Sequence, residues 1–373
     1  MGQSILIIFS FVLTGFYLIL ILAYFITWLR IRYYKIRPAE QLGYSIMVPC
    51  RNEEHTIASC LTDIIAQQYP AAMFEILVIN DHSTDATAQV VQQVIDANPQ
   101  CSIKLIQMHD DPKQRKLKKA AITYGLSQTR FEHIILTDAD CERGPEWLTA
   151  INSFVYHSRS KMVYAPVLFK ANTVFEKIQS LEFAGLVAIG GAAIELRNPN
   201  MCSAANLVFE KKVFYEVGGY TGNDQLASGD DEYLLHKFSK VYPDAIHFLK
   251  NREAIVTTSA NTSLAELTSQ RRRWVSKSTK YENRYITAIL IAAYLFNAGI
   301  VYHLMFNFQT GLIILALKTL AEGIFLYSVL HFFRRKQYIL FLPLAEPFHI
   351  LYVLVIGIWA NIGSYSWKGR SIT

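Results

Sequence analysis

The sequence predicts an α/β domain on a mainly parallel sheet, flanked on both sides by apolar helices long enough to cross a membrane. A polar middle lies between apolar ends in a chain of 373 residues that is 52% hydrophobic and only 18% charged. Within that middle, short apolar runs alternate with stretches of helical periodicity, the pattern of strands joined by crossover helices.

The elements follow in order. Ser4 to Trp28 carries no charge, and as a helix it would extend roughly 37 Å, enough for a bilayer core. A cleaved signal peptide would need positive charge ahead of the apolar run. Here Arg30, Arg32, Lys35 and Arg37 follow it instead, which puts the N-terminus outside and the middle in the cytosol. Strands are expected at Tyr44–Pro49, Glu75–Asn80, Ile103–Met108, His133–Thr137 and Lys161–Pro166. Helices are expected near Glu53–Gln68, Thr84–Asp96, Lys116–Gln128 and Glu146–Tyr156. The apolar stretch inside Thr173–Glu195 reads as an interfacial helix shaping an acceptor entrance, with an ordinary core helix as the alternative. Ile286–Phe306 and Gly311–Phe333 form a helical hairpin, and Tyr338–Ala360 either spans or re-enters. Lys318, Glu322, His331 and Glu346 inside these stretches should face protein or water.

The net charge of +6 is concentrated beside the apolar segments, so anionic lipid is the expected partner and nucleic acid is not. The five cysteines are scattered without a C-x-x-C and read as cytosolic thiols, neither disulfides nor a zinc site. No G-x-x-x-x-G-K-[ST], H-E-x-x-H or G-x-S-x-G occurs, which argues against a P-loop pump, a metalloprotease and a serine hydrolase.

In parallel sheets ligands bind beyond the carboxyl ends of the strands, so the polar residues there are the candidates. After the first strand comes Pro49-Cys50-Arg51-Asn52-Glu53-Glu54, which as a plain helix start would use Asn52 as a cap and the acids for the dipole. The second ends in Asn80-Asp81-His82-Ser83-Thr84-Asp85; a capping turn accounts for Thr84 and Asp85 but not for Asp81. Lys118 and Lys119 open the third helix, where they oppose the helix dipole and a bound diphosphate would explain them. After the fourth strand, Asp138-Ala139-Asp140 offers carboxylates one residue apart that can both reach one hard cation, Mg²⁺ or Mn²⁺. Asp230-Asp231-Glu232 suits either a helix N-terminus or a general base with neighbours that raise its pKa. Gln270-Arg271-Arg272-Arg273-Trp274 is either a juxtamembrane belt or a diphosphate grip, with Gln270 and Trp274 on one helical face.

The order of these motifs resembles the family-2 glycosyltransferases. VPCRNEE, NDHSTD, LKKAAITYGL, TDADC, SAANLVFEKKVFYEVGGY, GDDEYL and QRRRW cover most of Ser45–Trp274. Q-x-x-R-W appears in cellulose, hyaluronan and poly-N-acetylglucosamine synthases and in ceramide glucosyltransferase-like enzymes. The resemblance implies a Rossmann-like GT-A catalytic domain over 40–280, between a transmembrane helix at 1–30 and transmembrane helices at 285–365. It implies inverting, metal-dependent hexosyl transfer from a nucleotide-sugar, a UDP-sugar by expectation, to a membrane lipid or growing polysaccharide. The place is the cytosolic face of the cell inner membrane. Carried over, Asp81 contacts the nucleoside with Pro49, Arg51 and Glu53 lining its pocket. Lys118 lies near the phosphates, Asp138 faces the donor sugar or ribose, and Asp140, with Asp138, holds the Mg²⁺ or Mn²⁺. Asp231 is the base with Asp230 beside it, and Gln270, Arg273 and Trp274 close over diphosphate and acceptor. The chain departs from the family pattern at Asn80 (usually Asp), Leu117 (usually Gly) and Ala204 (usually Gly). The other reading is a catalytically inactive membrane scaffold or binding subunit of a glycan-assembly complex, which predicts loss of the strand-end carboxylates that this chain keeps.

Overall fold

The computed structural model describes residues 2–108, 118–222, 229–276, 284–360, 365–367 and 370–372. In chain order the elements are α1 (Gly2–Arg30), β1 (Tyr44–Cys50), α2 (Ile57–Ile65), β2 (Phe74–Asn80), α3 (Thr87–Ala97), β3 (Ile103–Gln107), α4 (Lys118–Ser127) and β4 (His133–Leu136). Then come β5 (Glu142–Arg143), α5 (Trp147–Ser158), β6 (Met162–Tyr164), β7 (Val167–Lys170), α6 (Val174–Glu195), β8 (Leu207–Glu210) and α7 (Lys211–Glu216). The chain continues through α8 (Asp230–Val241), β9 (Ile246–Phe248), β10 (Val256–Ser259), α9 (Leu264–Val275), α10 (Arg284–Phe306), α11 (Phe308–Phe332) and α12 (Leu342–Trp359). They pack as two compact units, one of residues 1–30, 171–189 and 260–373, the other of 31–170 and 190–259.

The second unit is the α/β body. Its seven-stranded sheet has the order β3-β2-β1-β4-β8-β6-β9. Strands β3, β2, β1 and β4 are parallel, as the alternation of strand and helix predicts. Strand β8 enters antiparallel between β4 and β6, which makes the far side of the sheet mixed. Every residue of β1 and β2 is buried, because helices cover both faces of a parallel sheet. The buried Glu75 is tolerated because Ser45 Oγ donates to it at 2.6 Å, the Arg130 amide donates to it, and Lys104 lies 3.4 Å away. A small sheet of β5, β10 and β7 lies beside the main one.

The other unit holds α1, α9, α10, α11, α12 and the first part of α6. Among the described residues, five helices are long and apolar enough to cross a membrane; α6 is the exception among them, with 72% of its most apolar stretch buried against 17–28% for the rest. It is therefore a core helix, not the interfacial one expected. Its neighbours expose apolar faces, and the hairpin is tighter than expected, with Asn307 alone between α10 and α11. A side chain at Gly311 would lie 2.6 Å from the Leu304 amide nitrogen, so only glycine allows this turn. Of the four titratable residues expected to face protein or water, Lys318, Glu322 and Glu346 face protein, and His331 is exposed. Lys318 is fully buried, 2.8 Å from Glu322 and 2.5 Å from Glu346, and the Tyr17 hydroxyl donates to Glu322. This cluster ties α1, α11 and α12 together, and Trp28 packs edge-on against Phe332 beside it in sequence order along α1 and α11.

Candidate active site

The loops after β1 and β2 are stitched to each other. Pro49 sits opposite Ile79 of β2 but past Met47, the last β1 residue paired to β4, so its missing N–H interrupts little of the ladder. Arg51 donates to the carbonyls of Asp81 and His82 at 3.0 and 2.9 Å. Asn52 adopts φ 53°, which lets its amide reach Ser83 Oγ and its Oδ1 accept from the Thr84 amide. The Glu53 amide donates to Thr87 Oγ1 and the Glu53 carboxylate accepts from Thr56. This bracing consumes the residues expected to begin a helix, and α2 starts only at Ile57. Asp81, 5% exposed, stands at the tip of β2 with its carboxylate 2.8 Å from His82 Nδ1. Asn80, in place of the usual acid, donates to Gln107 on β3 and accepts from the Ser83 amide.

On the other side of β1, acids and one lysine meet. Lys118, at the start of α4, places Nζ 2.7 Å from Asp138 Oδ1 and 3.3 Å from Asp230 Oδ2. Burial by itself lowers the lysine pKa; the facing Asp138, Asp230 and Asp231 outweigh that and hold it above its ordinary value. Lys118 is thus no solvated surface lysine. Lys119 is buried with its ammonium 4.9 Å from the Tyr233 ring and 5.9 Å from that of Tyr220. The Tyr220 hydroxyl is pushed up in pKa by burial and then by Asp230 and Asp231.

Asp140 accepts from Thr258 Oγ1 on β10 at 3.0 Å, a contact created by the pairing of β10 with β5. Asp230, Asp231 and Glu232 form the first turn of α8, where the helix dipole favours them. Gly229 precedes them with φ 80°, a backbone state that suits glycine. Asp231 accepts from the Ala204 amide at 3.3 Å and the Glu232 amide at 2.9 Å. The Leu117 position lies outside the described residues.

Gln270, Arg273 and Trp274 lie on α9 in the other unit. Ser263 caps α9, accepting from the Glu266 amide at 3.2 Å. Gln270 Oε1 accepts from Asn261 at 3.0 Å. The neighbouring Arg271, absent from the expected set, is 1% exposed, bonds Glu182 of α6 at 2.8 Å and stacks 4.3 Å from the Trp274 ring centroid. Glu182, an acid in the middle of the apolar α6, was the available signal for it. Thr258, Arg143, Trp147 and Asn206 were likewise not singled out.

Hard oxygen donors suit Mg²⁺ or Mn²⁺, which bind through one or two carboxylates plus substrate phosphates. Asp138 and Asp140 provide such donors. Among the described residues, no group of three His, Cys, Asp or Glu side chains is placed to hold a metal ion; the donor set present fits a metal shared with a phosphate ligand.

Residues 45–223 match the profile of Glycosyl transferase family 2. Poly-beta-1,6-N-acetyl-D-glucosamine synthase of Staphylococcus aureus (strain COL) is 25% identical over 181 residues, 47% of this chain and 41% of that protein. The enzyme of the same name from Staphylococcus epidermidis is 25% identical over 222 residues, 57% of this chain and 51% of that protein. The chain thus spans about half or less of the length of these curated relatives. The structure of mannosyltransferase PcManGT from Pyrobaculum calidifontis, in complex with GDP-Man and Mn²⁺, has a TM-score of 0.60 over 96% of this chain and 100% of that one, at 17% identity. At that identity the likeness is one of fold. Residues 45–223, a little under half of the chain, thus match glycosyl transferase family 2 and lie on a GT-A-type α/β body.

Proposed function

We propose that the chain transfers a glycosyl group from a nucleotide-sugar to a membrane-associated acceptor on the cytosolic side, with inversion at the anomeric carbon. The observation that carries this reading is the meeting of Asp138, Lys118 and Asp230 beyond the sheet, with Asp231 held next to them by the Ala204 amide. Asp81 and the braced loops around Arg51 and Glu53 receive the nucleoside, Pro49 completing that wall. Lys118 offsets the charge of the departing diphosphate, a role that the family resemblance also gives to Arg273. Asp138 and Asp140 would hold a divalent metal, whose contribution is to neutralise phosphate charge. Asp231 takes the acceptor hydroxyl's proton as that oxygen attacks the anomeric carbon and the diphosphate leaves. The family resemblance gives Gln270 and Trp274 the acceptor side.

The first donor to test is UDP-N-acetylglucosamine, the activated form of the sugar named in the Staphylococcus relatives; a GDP-sugar is the second, from the ligand of the mannosyltransferase. Membranes containing the protein are given each nucleotide-sugar with Mn²⁺, and nucleoside diphosphate release and product length are scored. Release with a lipid product of one sugar supports a glycolipid acceptor; a ladder supports a polysaccharide. Asp231→Asn is expected to lower turnover by about 10²–10⁴-fold while donor binding, read by calorimetry, stays near wild type. Full turnover in Asp231→Asn would remove that residue from the role of base.

A further inference from the structure

A continuous buried connection joins the acidic turn after β4 to the carboxylate of Asp231. It begins at Arg143, 8% exposed. Its guanidinium donates to Thr137 Oγ1 at 3.0 Å and to the Cys141 carbonyl at 2.9 Å. Those two residues immediately bracket Asp138-Ala139-Asp140. The same guanidinium donates to the Cys60 carbonyl at 3.2 Å, and the Arg143 amide donates to Asp63 at 2.9 Å, so the bracket is anchored on α2. Thr137 is itself fixed, its amide donating to Met47 of β1 at 3.1 Å.

The connection continues through Trp147. Its ring centroid lies 5.1 Å from the Arg143 guanidinium carbon, a cation–π distance. Its indole N–H donates to Asn206 Oδ1 at 3.0 Å. Trp147 and Asn206 are both fully buried. Asn206 spends its amide hydrogens on the carbonyls of Pro166 and Ala254 at 2.9 and 2.8 Å, so the side-chain amide is held from both ends. Asn206 closes the short 3-10 turn Ala204–Asn206, which Ser203 caps by accepting from the Ala205 amide at 3.3 Å. The first amide of that turn, Ala204 N–H, is the one that donates to Asp231 Oδ2.

Apart from Arg143 Nε, which is buried without a partner, the polar groups along this path are hydrogen-bonded, and the Arg143–Trp147 step is the ring contact. A buried network with this many defined partners holds one geometry, and a half-broken one does not. We infer that Arg143, Trp147 and Asn206 are positioning residues that fix where the carboxylates of Asp138 and Asp140 lie relative to Asp231. Arg143 sets the acidic turn, and Trp147 with Asn206 carries that setting to the turn that orients Asp231. The inference rests on the glycosyl-transfer reading for its consequence, because what it aligns is the metal-and-phosphate side of the reaction with the attacking hydroxyl.

The full-length protein in detergent tests it through variants that separate the two ends. Trp147→Phe keeps the ring over Arg143 and deletes the indole N–H. It is expected to lower kcat about tenfold or more, with the donor KM and Mn²⁺ affinity in the presence of UDP within twofold of wild type. Arg143→Met is expected to weaken Mn²⁺ binding, read from the EPR signal of free Mn²⁺ in the presence of UDP, by about 10–100-fold, the range for groups that orient metal-holding side chains. Arg143→Lys, which retains charge but not the forked donors, should recover only part of that affinity. Thermal unfolding is followed for every variant, and constants are taken per folded molecule. A fall in melting temperature with kcat, KM and Mn²⁺ affinity all unchanged in Trp147→Phe and Arg143→Met would show a packing role alone and overturn the inference. Wild type that binds Mn²⁺ and loses it in Arg143→Met, but releases nucleoside diphosphate from no donor, would instead overturn the functional reading and leave the bracket on the acidic turn standing.

Discussion

Two lysines in this protein, Lys118 partly exposed and Lys318 fully buried, solve the same electrostatic problem in different surroundings. Lys118 in the α/β unit lies between Asp138 and Asp230. Lys318 in the helical unit lies between Glu322 and Glu346. Each ammonium faces two carboxylates, yet the surroundings differ. The side chain of Asp138 is 37% exposed and stands at the open end of a sheet, with Asp140 and Asp231 close by in sequence to the paired acids. Glu346 is 3% exposed and Lys318 not at all, within apolar helices. At a strand end, acids outnumbering cations leave capacity for a cationic or phosphate-bearing ligand. In an apolar bundle, the ions have one another, and the cluster serves to bring helices together.

The comparison can be broken most directly at Lys318. Lys318→Met leaves two carboxylates in apolar surroundings without their cation, which should cost about 3–5 kcal/mol and appear as loss of monodisperse protein in detergent. Adding Glu322→Gln and Glu346→Gln removes the uncompensated charge and should restore most of the folded fraction. If Lys318→Met folds like wild type, the cluster is not what assembles these helices.

Lys118→Met sharpens the other half. Solvent reaches this site, so its stability cost should stay near that of a partly exposed ion pair, at or below about 1 kcal/mol. Turnover should drop by about 10²–10³-fold, the effect of removing one preorganised electrostatic donor. Melting temperature and nucleoside diphosphate release measured on the same preparation separate the two effects. A large stability loss with turnover retained would make Lys118 the counterpart of Lys318 after all.

The smallest effect concerns a third lysine. Burial lowers the pKa of Lys250 to about 8, against about 10.4 for an unfolded lysine. Between those values the unfolded chain keeps a proton that the folded chain has released, so this group makes stability rise with pH in that window and its destabilising charge is present below about pH 8. Lys250→Met should therefore raise the melting temperature more at pH 7 than at pH 10. An equal shift at both pH values would show that the lysine is not desolvated enough to matter.

Much of this protein is written in local pattern. Strands β1 to β4 fall within a residue of where apolar runs place them, and the acids after β2 and β4 stand at carboxyl ends because a parallel sheet puts them there. The long apolar helices are equally legible, since length and absence of charge are local properties. Even the placement of Lys318, Glu322 and Glu346 toward protein followed from the cost of charge in an apolar medium.

Other features required the chain's path through space. Glu53 and Glu54 look like a helix start, but partners on the next loop, thirty or so positions along, draw them into a brace and delay α2. Strand β8 inserts antiparallel between β4 and β6, which no periodicity records. In QRRRW three arginines are alike in sequence, and only packing against α6 makes Arg271 the buried one. Trp147 meets Asn206 across 59 positions, so neither residue signals the other. Periodicity reports what a residue does to its own helix or strand; a hydrogen bond between distant segments depends on topology, and topology is decided by the burial of the whole sheet at once.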